Sequence, residues 1–501
     1  MDANMAVIGL FVLPFVGAPL VYLVDRILLH RGSNSRFGQW MTLFLLVLCM
    51  IGLLDFWTQN ASHNSLWILI GSISLHWDGL SFLLAFTVVL LATLVTLFSG
   101  PYIGAEKAQD KYFALLLLMV GAIIGLGAAN DLFNLWVWFE LMAVSTYLLV
   151  AFYPQEKGSL EAGVKYLVQS AIGSVFILLA IAITYAYAGT LQLDGIRARF
   201  VELNPALIGA GMLFIVGFGV KAALVPMHTW LPDAHAQAPS GISAMLSGIV
   251  IEAGLMAMLR ALFALGAETA WWGTLLMGFG AINMFLGNLL ALRQQQIKRL
   301  LAFSSVAQVG YMLAGIGVGL AYHQPTAIAG GMFHLFTHAL MKGLAFLAVG
   351  ALLYALVISQ NRHTPLTLDD VRGAARRYPL VCLTLAIALL GLGGLPPMAG
   401  FMSKWQILVG GFMSQSSAGL ALMFFAGLNS VLSLGYYAPI VNRLYQQSPS
   451  EVVEKGGRIP GLMVLPLIVF GLGILLLGFV PSLMNPINEW AASSLMGLGI
   501  R

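Results

Sequence analysis

Histidine and lysine recur at a helical spacing near residue 340. His334, His338 and Lys342 lie four residues apart, so a helix would place all three on one face. Two histidines at this spacing can bind zinc, but this stretch has no third ligand, no carboxylate and no HExxH motif. Because imidazole titrates near neutral pH, the pattern predicts a proton relay rather than a metal site. The alternative is that both histidines only hydrogen-bond a neighbouring helix.

Further ionisable residues lie in apolar sequence of the same kind: Glu140, Lys165, Lys221, His228, Glu252 and Lys404. An ionisable side chain in hydrocarbon is costly and by default indicates an ion or proton path. The structural alternative is a snorkelling or paired residue that only locks helices together. That alternative has most weight for Lys165, which lies near the start of its apolar run.

The composition requires that these residues be positioned by membrane-spanning helices. The 501 residues are 59% hydrophobic and 9% charged, with a mean hydropathy of +0.90, whereas soluble domains carry about 25% charged residues. So few charges cannot coat the water-facing surface of a cytosolic enzyme, and a disordered chain is equally excluded. The two cysteines, Cys49 and Cys382, lie in apolar runs, which excludes a disulfide scaffold. The net charge of +4 comes without a basic patch, so no nucleic-acid partner is expected.

Runs of about 20 apolar residues predict fourteen membrane-spanning helices and an all-α integral membrane fold. Their approximate bounds are 5–23, 40–57, 80–100, 112–129, 132–153, 162–189, 205–230, 242–265, 270–292, 300–321, 327–356, 379–413, 418–442 and 461–483. The first run follows Asp2 rather than a basic region, which argues against a cleaved signal peptide. Residues 58–79 are too polar to span and alternate partly, which predicts a small hairpin outside the bilayer.

The distribution of lysine and arginine predicts the orientation in the cell membrane. With the N-terminus outside, sixteen of the loop cations, Lys298 among them, fall on the cytoplasmic side. Only Arg197, Arg199 and Arg501 fall on the outer side. This bias follows the positive-inside rule and predicts a multi-pass protein with both termini outside.

Two predicted spans contain prolines near a lysine. Pro226 and Pro232 follow Lys221 in the seventh span, and proline frees backbone carbonyls that protein or water must satisfy in lipid. In the twelfth span a proline pair, 396–397, precedes Lys404. The two spans lie five apart and therefore run in opposite directions.

Paired broken helices indicate an inverted-repeat transporter. The predicted repeats comprise spans four to eight, 112–265, and spans nine to thirteen, 270–442. Residues 1–111 would form an N-terminal unit of helices one to three with the outer hairpin. Residues 461–501 would carry helix fourteen.

Several stretches together resemble one known family: DLFNLWVWFELM, KAALVPMHTWLPDAHAQAPSGISAMLSG, IKRLLAFSSVAQVGYML, MFHLFTHALMKGLAFLAVGAL and PPMAGFMSKWQIL. They are similar to the antiporter-like proton-pumping subunits of respiratory complex I. The same family includes large subunits of Mrp-type cation/proton antiporters and of membrane-bound hydrogenases. The resemblance covers roughly residues 80–480. It implies fourteen helices, outward termini and inverted five-helix repeats, in agreement with the count above.

The resemblance also implies roles for particular residues. Glu140 and Lys221 match a glutamate–lysine pair on the fifth and seventh spans. Opening that pair would release the lysine proton along a central polar axis towards Lys342 and Lys404. His334 and His338 would lie on that axis beside Lys342.

One position departs from the family pattern. Many members carry a lysine in the eighth span about eight residues before its terminal arginine, where this chain has Glu252 before Arg260. Glu252 could pair with Lys221 or Lys342, or reverse the local field.

The resemblance implies a proton-translocating subunit of a complex I-type NADH/ferredoxin–quinone oxidoreductase. The sequence has no Gly-rich nucleotide loop, no cysteine cluster and no haem attachment motif. We therefore expect no cofactor or metal in this chain and a non-redox translocase role beside other membrane subunits. Alternatives within the family are an Mrp-type Na⁺/H⁺ antiporter subunit and a hydrogenase or other ferredoxin-linked pump subunit. Alternatives outside it are an independent secondary transporter and a non-transporting scaffold.

Overall fold

The protein, seen in a computed structural model, is almost entirely helical. The structure describes residues 3–31, 36–60, 62–71, 73–104, 108–199, 205–266, 269–358 and 365–497. Its first part contains α1 (Ala3–His30), α2 (Phe37–Gln59), β1 (Leu66–Ile70), β2 (Ile73–Trp77), α3 (Gly79–Ile103), α4 (Gln109–Ala128), α5 (Leu132–Val150), α6 (Lys157–Ala188) and α7 (Leu193–Arg199). The two strands pair antiparallel with Leu66 opposite Trp77, which confirms the predicted hairpin.

The middle of the chain contains α8 (Pro205–Lys221), α9 (Trp230–Gln237), α10 (Ser240–Met245), α11 (Ile251–Ala264), α12 (Thr269–Leu292), α13 (Ile297–Ala321) and α14 (Pro325–Leu356). A π-helical turn, Leu246–Val250, joins α10 to α11. The last part contains α15 (Pro379–Gly393), α16 (Ala399–Met413), α17 (Ser417–Leu444), α18 (Glu451–Glu454), α19 (Gly461–Phe479) and α20 (Asn485–Gly497).

Capping residues in the sequence set several helix ends. The side chain of Asp78 accepts a hydrogen bond from the backbone N–H of Ser81, and the hydroxyl of Ser81 accepts one from the backbone N–H of Asp78. This reciprocal pair is a capping box, and it starts α3. Asp131 caps α5 because its side chain accepts a hydrogen bond from the backbone N–H of Asn134. Gly189 ends α6 in the left-handed conformation that glycine tolerates best.

Twelve helices in the described residues are long and apolar enough to cross a membrane. They correspond to twelve of the predicted spans. The other two predicted spans are interrupted. After Lys221 the chain turns irregularly before α9, and α9 continues to Gln237, beyond the predicted end at residue 230. The helix extends because Pro232 lies in its first turn, where proline is tolerated. The twelfth span breaks between Gly393 and Ala399.

Three helical segments form the centre of the molecule. Residues 240–265, residues 300–320 of α13 and residues 327–352 of α14 are buried without exception. A helix buried on all sides needs apolar residues around its whole circumference, so each polar side chain on these segments faces other protein. The central segments carry Glu252, Gln308, His334, His338 and Lys342. The outer helices instead expose large apolar side chains, such as Val175 on α6 and Phe424 on α17.

Candidate functional site

One face of α14 carries the predicted row of ionisable residues. His334, His338 and Lys342 are fully buried and follow one another by one turn. The imidazole rings of the two histidines have centroids 6.3 Å apart.

Glu252 contacts this row from α11. Its Oε1 lies 2.6 Å from Nδ1 of His338, and both side chains are fully buried. The expectation that Glu252 pairs with Lys221 or Lys342 is therefore wrong. Burial requires each polar group to find its nearest partner, and the histidine on the adjoining face is closer to the carboxylate than either amine. The π-helical turn directly precedes Glu252, and such turns are frequent at functional sites.

The amine of Lys342 faces α13. Its Nζ donates to the carbonyl of Leu301 at 2.7 Å and to the hydroxyl of Ser304. Ser305 donates to the same carbonyl at 3.0 Å and hydrogen-bonds Ser247 of the π-helical turn at 2.6 Å. Lys342 is thus satisfied by neutral acceptors, an arrangement that allows either protonation state to hold a hydrogen bond.

His334 connects the row to the second broken helix. Its Nδ1 lies 2.9 Å from the hydroxyl of Ser403 on α16, and its Nε2 lies 3.0 Å from Oε1 of Gln308 on α13. The other end of the Gln308 side chain donates to the carbonyl of Leu392 at 3.0 Å. His334 therefore has a polar partner on each of two neighbouring helices.

The break in the twelfth span supplies the acceptors for Lys404. An unbroken helix would join the carbonyls of Leu392 and Gly393 to the N–H groups four residues later, but those residues are prolines and have none. Lys404 donates to the Leu392 carbonyl at 2.8 Å, and Ser430 donates to the Gly393 carbonyl at 3.0 Å. The Leu392 carbonyl accepts from Gln308 as well, so Lys404 and His334 are connected through two intermediates.

Lys404 also has an aromatic and a hydroxyl partner. Its Nζ lies 4.3 Å from the ring centroid of Tyr311 and donates to Ser430 at 3.1 Å. Lys404 lines a cavity of about 250 Å³ whose other walls are mainly apolar side chains of α16 and α17.

Lys221 lies at the first break, as the C-terminal residue of α8. Its Nζ donates to the hydroxyl of Tyr166 at 2.8 Å and to Ser170 at 3.4 Å. Glu140 does not reach it: these two described residues form no ion pair within 4.0 Å, and Oε1 of Glu140 is buried without a hydrogen-bond partner. The field of the Glu140 carboxylate still acts on Lys221 and on Tyr166. The two residues are therefore neighbours without direct contact.

Two side chains satisfy the carbonyls freed at this first break. Trp230 donates from its indole to the carbonyl of Val220 at 2.7 Å. Asn283 of α12 accepts from the N–H of Val225 at 2.9 Å and donates to the carbonyl of Ala223 at 3.2 Å. These contacts meet the requirement that irregular backbone in a membrane protein be bonded internally.

Gly254 gives the Lys221 side chain its space. A Cβ at residue 254 would lie 2.9 Å from Cβ and 3.0 Å from Cγ of Lys221. The lysine stem therefore runs directly against α11, half a turn from Glu252.

Lys165 and His228 lie outside the buried row. Lys165 is half-exposed on α6, where its amine contacts Glu161 at 2.7 Å and Asp233 at 3.2 Å. Because solvent screens such a pair, it fits the structural alternative. His228 lies in the irregular segment of the first break, with its ring centroid 6.1 Å from that of Phe303 and the two planes at 65°.

Several polar residues of the site carried no signal of their own in the sequence. Tyr166, Ser170, Ser304 and Ser403 are types that occur commonly on membrane helices, so only the fold identifies them as partners. Gln308 and Asn283 are more polar and lie within apolar runs. An amide side chain in such a run needs a buried hydrogen-bond partner, so the sequence does indicate that these two residues are of interest. Among the residues that the structure describes, no group of three or more His, Cys, Asp or Glu is placed to hold a metal ion.

Comparison with known proteins agrees with this architecture. Residues 129–433, more than half of the chain, match the family described as NADH:quinone oxidoreductase/Mrp antiporter, transmembrane. The chain is 32% identical to subunit N of the F420H2 dehydrogenase of Methanosarcina mazei over 97% of both chains. It is 30% identical to subunit N of the NADH-quinone oxidoreductase of Desulforudis audaxviator over 77% of this chain and 78% of that one.

A solved structure extends the likeness to the fold. A chain of the membrane-bound sulfane sulfur reductase, an archaeal respiratory membrane complex, is 28% identical and superposes with a TM-score of 0.86 over 98% of both chains. The family match over residues 129–433 includes both broken helices and the ionisable residues Lys221, Glu252, His334, His338, Lys342 and Lys404. The chain is therefore a multi-pass membrane protein that belongs to the transmembrane family of NADH:quinone oxidoreductase and Mrp antiporter subunits.

Proposed function

We propose that this chain is a proton-translocating, antiporter-like subunit of a complex I-type oxidoreductase. The observation that carries the proposal is the fully buried row of His334, His338 and Lys342, joined to Lys404 through hydrogen-bonding groups. Ionisable side chains at such positions are costly and mark ion or proton paths. A scaffold could replace them with leucine at no loss.

The redox reaction belongs to partner subunits in this proposal. The relatives named above are subunits of oxidoreductases that act on F420H2 or on NADH and quinone, and the solved relative belongs to a respiratory membrane complex. This chain would be the non-redox membrane part, bound to other membrane subunits and coupled to them mechanically or electrostatically. It would hold no cofactor of its own.

The proposed topology has fourteen crossings with both termini on the outer side. The segment of α8 with α9 and the segment of α15 with α16 would each cross as one broken helix, in addition to the twelve long helices. Residues 112–265 and 270–442 would form inverted repeats, between an N-terminal unit, 1–111, and a C-terminal unit, 461–501. The positions of the two breaks, each with a lysine in contact with freed or neighbouring polar groups, support this symmetry.

The proposed mechanism uses the separation of Glu140 from Lys221. The geometry supports an open state of this pair, in which the lysine amine is held by Tyr166 and Ser170. Closing the pair would favour the charged amine, and opening it would favour release of the proton towards the α14 row. Glu252 with His338, then His334, would carry the proton on to Lys404.

A substitution at Lys221 tests the proposal. In the assembled complex in liposomes with a pH-sensitive dye, Lys221→Ala should abolish proton transfer coupled to the driving reaction while leaving the complex intact. Lys111→Ala, which changes an exposed lysine, is the matched control and should pump normally. Normal pumping by the Lys221 variant would refute the proposed role.

Two further measurements distinguish the alternatives within the family. An Mrp-type subunit would show Na⁺-dependent acidification and alkalisation in the same liposomes, whereas a complex I-type subunit would pump without sodium. The subunits that co-purify with the chain identify the electron donor. Iron–sulfur and flavin subunits support the proposal, and small antiporter subunits alone contradict it.

A further inference from the structure

The cavity between α16 and α17 combines apolar walls with one lysine. Its volume is about 250 Å³, and its lining includes Phe401 and Leu408 of α16 and Val431 and Leu434 of α17. Among the described residues that line it, Lys404 is the only Lys, Arg, His, Asp or Glu. Apolar cavities stay dry, and one of about 150 Å³ already binds benzene. The α16–α17 cavity therefore suits an apolar ligand better than water.

The amine of Lys404 is flanked by two other residues that line this cavity. Its Nζ lies 4.3 Å from the ring centroid of Tyr311 and donates to the hydroxyl of Ser430 at 3.1 Å, and both residues belong to the lining. Its remaining partner is the carbonyl of Leu392 at 2.8 Å. No Asp or Glu among the described residues forms an ion pair with Lys404 within 4.0 Å. A charged amine at this wall would therefore lack a negative partner from the chain.

The cavity opens at the outer surface of the helix bundle. Trp405 and Val431 both line it, and 54% and 67% of their surfaces are exposed. Leu428, which is also exposed, extends this apolar surface along α17. An exposed apolar surface of this kind contacts the membrane. A ligand can therefore reach the cavity from among the acyl chains.

Lys404 lies near the middle depth of the membrane. It precedes Met413, the last residue of α16, by nine residues (413 minus 404). This corresponds to about 14 Å of helix in a hydrocarbon layer of about 30 Å. A phospholipid headgroup keeps its charge and stays at the bilayer surface, because burying an unpaired charge is costly. A single-chain carboxylic acid can reach this depth, because protonation removes its charge.

We propose that the α16–α17 cavity binds a long-chain fatty acid whose carboxylate pairs with Lys404. The acid enters uncharged from the bilayer. Its O–H bond breaks, and the proton forms a new N–H bond on the unprotonated amine of Lys404. The product is an ammonium–carboxylate pair, and no electron is transferred. Scaled from the benzene cavity, the volume of about 250 Å³ accommodates about ten carbons of the chain.

A bound fatty acid would inhibit the relay. An adjacent carboxylate favours the protonated amine, so Lys404 would stay charged and could not release its proton. Lys404 is the last amine of the proposed relay, and transport through it would stop while the ligand is bound. This consequence rests on the proposed function, whereas the binding does not.

Photolabelling tests the binding. The probe is dodecanoic acid carrying a diazirine on its chain, added to the assembled complex in phosphatidylcholine vesicles, with labelled peptides identified by mass spectrometry. We expect label on α16 and α17 that unmodified dodecanoic acid displaces. Methyl dodecanoate should displace it about tenfold less well, because the ester cannot form the charge-assisted contact. Equal displacement by acid and ester, or no label on these helices, would overturn the assignment.

The variant Gly427→Leu fills the cavity and leaves the relay residues in place. Gly427 lines the cavity, and a Cβ there would meet no heavy atom within 4 Å. Gly278→Leu on α12 is the matched control, because a Cβ at that position also meets no heavy atom within 4 Å. We expect Gly427→Leu to lose most of the label and Gly278→Leu to keep it. Equal labelling of the two variants would contradict binding in this cavity.

The variant Lys404→Met tests the pairing with the amine. Methionine keeps an unbranched apolar side chain but carries no charge. Acid and methyl ester should then displace the label equally well. If the preference for the acid persists in this variant, the carboxylate pairs with another group and the assignment is wrong.

Proton transport separates failure of this inference from failure of the proposed function. Dodecanoic acid itself carries protons across a bilayer, so inhibition is measured as the difference between wild type and Gly427→Leu at one concentration of the acid. We expect stronger inhibition of the wild type, and no difference would contradict the pairing with Lys404. If Lys404→Met pumps normally although the label lies in the cavity, the binding site stands and the proposed function fails. If Lys404→Met stops pumping and no label is found, only the binding site is wrong.

Discussion

Nδ1 of His338 and Oε1 of Glu252 are 2.6 Å apart, and this contact joins the central helices α11 and α14. The second oxygen of Glu252 and the second nitrogen of His338 are buried without partners. Oε1 and Nδ1 form the contact, and Oε2 of Glu252 and Nε2 of His338 are left to bind a further donor or acceptor. A proton arriving on either free atom changes which partner is charged, so the pair can pass a proton along without moving the helices.

The variant Glu252→Gln tests this pair. The amide keeps the size of the side chain but cannot take up a proton, so coupled proton transport should fall about a hundredfold or more, since general acid–base groups contribute about 10²–10⁴. Dye quenching in liposomes containing the complex measures it. Glu451→Gln changes an exposed glutamate and should transport normally. Equal rates in the two variants would show that Glu252 carries no proton.

The variant Tyr166→Phe tests the open state at the first break. It removes the 2.8 Å hydrogen bond to Lys221 but keeps the ring stacked on Trp230. Without that acceptor the amine should turn towards Glu140, and transport should slow several-fold without being abolished. Tyr187→Phe, on an exposed tyrosine, is the control. Complete loss of transport would instead indicate that Tyr166 itself carries the proton.

The variants Gln308→Leu and Gln308→Glu test the link between His334 and Lys404. Leucine removes both hydrogen bonds of the side chain, which hold the His334 ring and the Leu392 carbonyl in place, and should slow transport between His334 and Lys404 several-fold. Glutamate keeps the acceptor for His334 and adds a group that can carry a proton, so it should retain part of the activity. The same dye assay measures both variants, and a leucine variant with full activity would contradict the link.

The variant Gly254→Ala tests the packing of Lys221 on α11. The added methyl group would lie 2.9 Å from Cβ of Lys221, and overpacking of this kind costs about 1–3 kcal/mol. The unfolding temperature of the purified protein in detergent should fall. Gly278→Ala adds a methyl group with no heavy atom within 4 Å, so it should leave that temperature nearly unchanged. A similar response from both variants would contradict the close approach.

Much of the fold follows from local patterns in the sequence. Apolar runs of about 20 residues predict twelve helices close to their observed bounds. They do so because a segment in lipid must hydrogen-bond its own backbone, and a helix does this within the segment. The prolines at 226 and 396–397 predict both breaks, because proline lacks the backbone N–H that a continuous helix needs. The spacing of His334, His338 and Lys342 placed them on one face without knowledge of any other helix.

The partners of the ionisable residues could not be predicted in this way. Pairing of Glu252 with His338 depends on how α11 and α14 rotate against each other, which no single-helix pattern records. Lys165 belongs to an apolar run but lies at its exposed end, where Glu161 and Asp233 reach it. The sequence pattern places Lys298 among the loop cations, yet its amine turns inward to the carbonyl of Ala238.

The proline pair at 396–397 selects which backbone oxygens face Lys404. A carbonyl oxygen is available to Lys404 only where the residue four positions later lacks an N–H. If the proline pair were shifted by one position, a different carbonyl oxygen, one residue along the helix, would face the amine. The number of residues between the proline pair and Lys404 therefore determines which carbonyl the amine contacts. A relative with a one-residue insertion between them should have a different side chain, or a different backbone oxygen, at the place where Lys404 meets the Leu392 carbonyl.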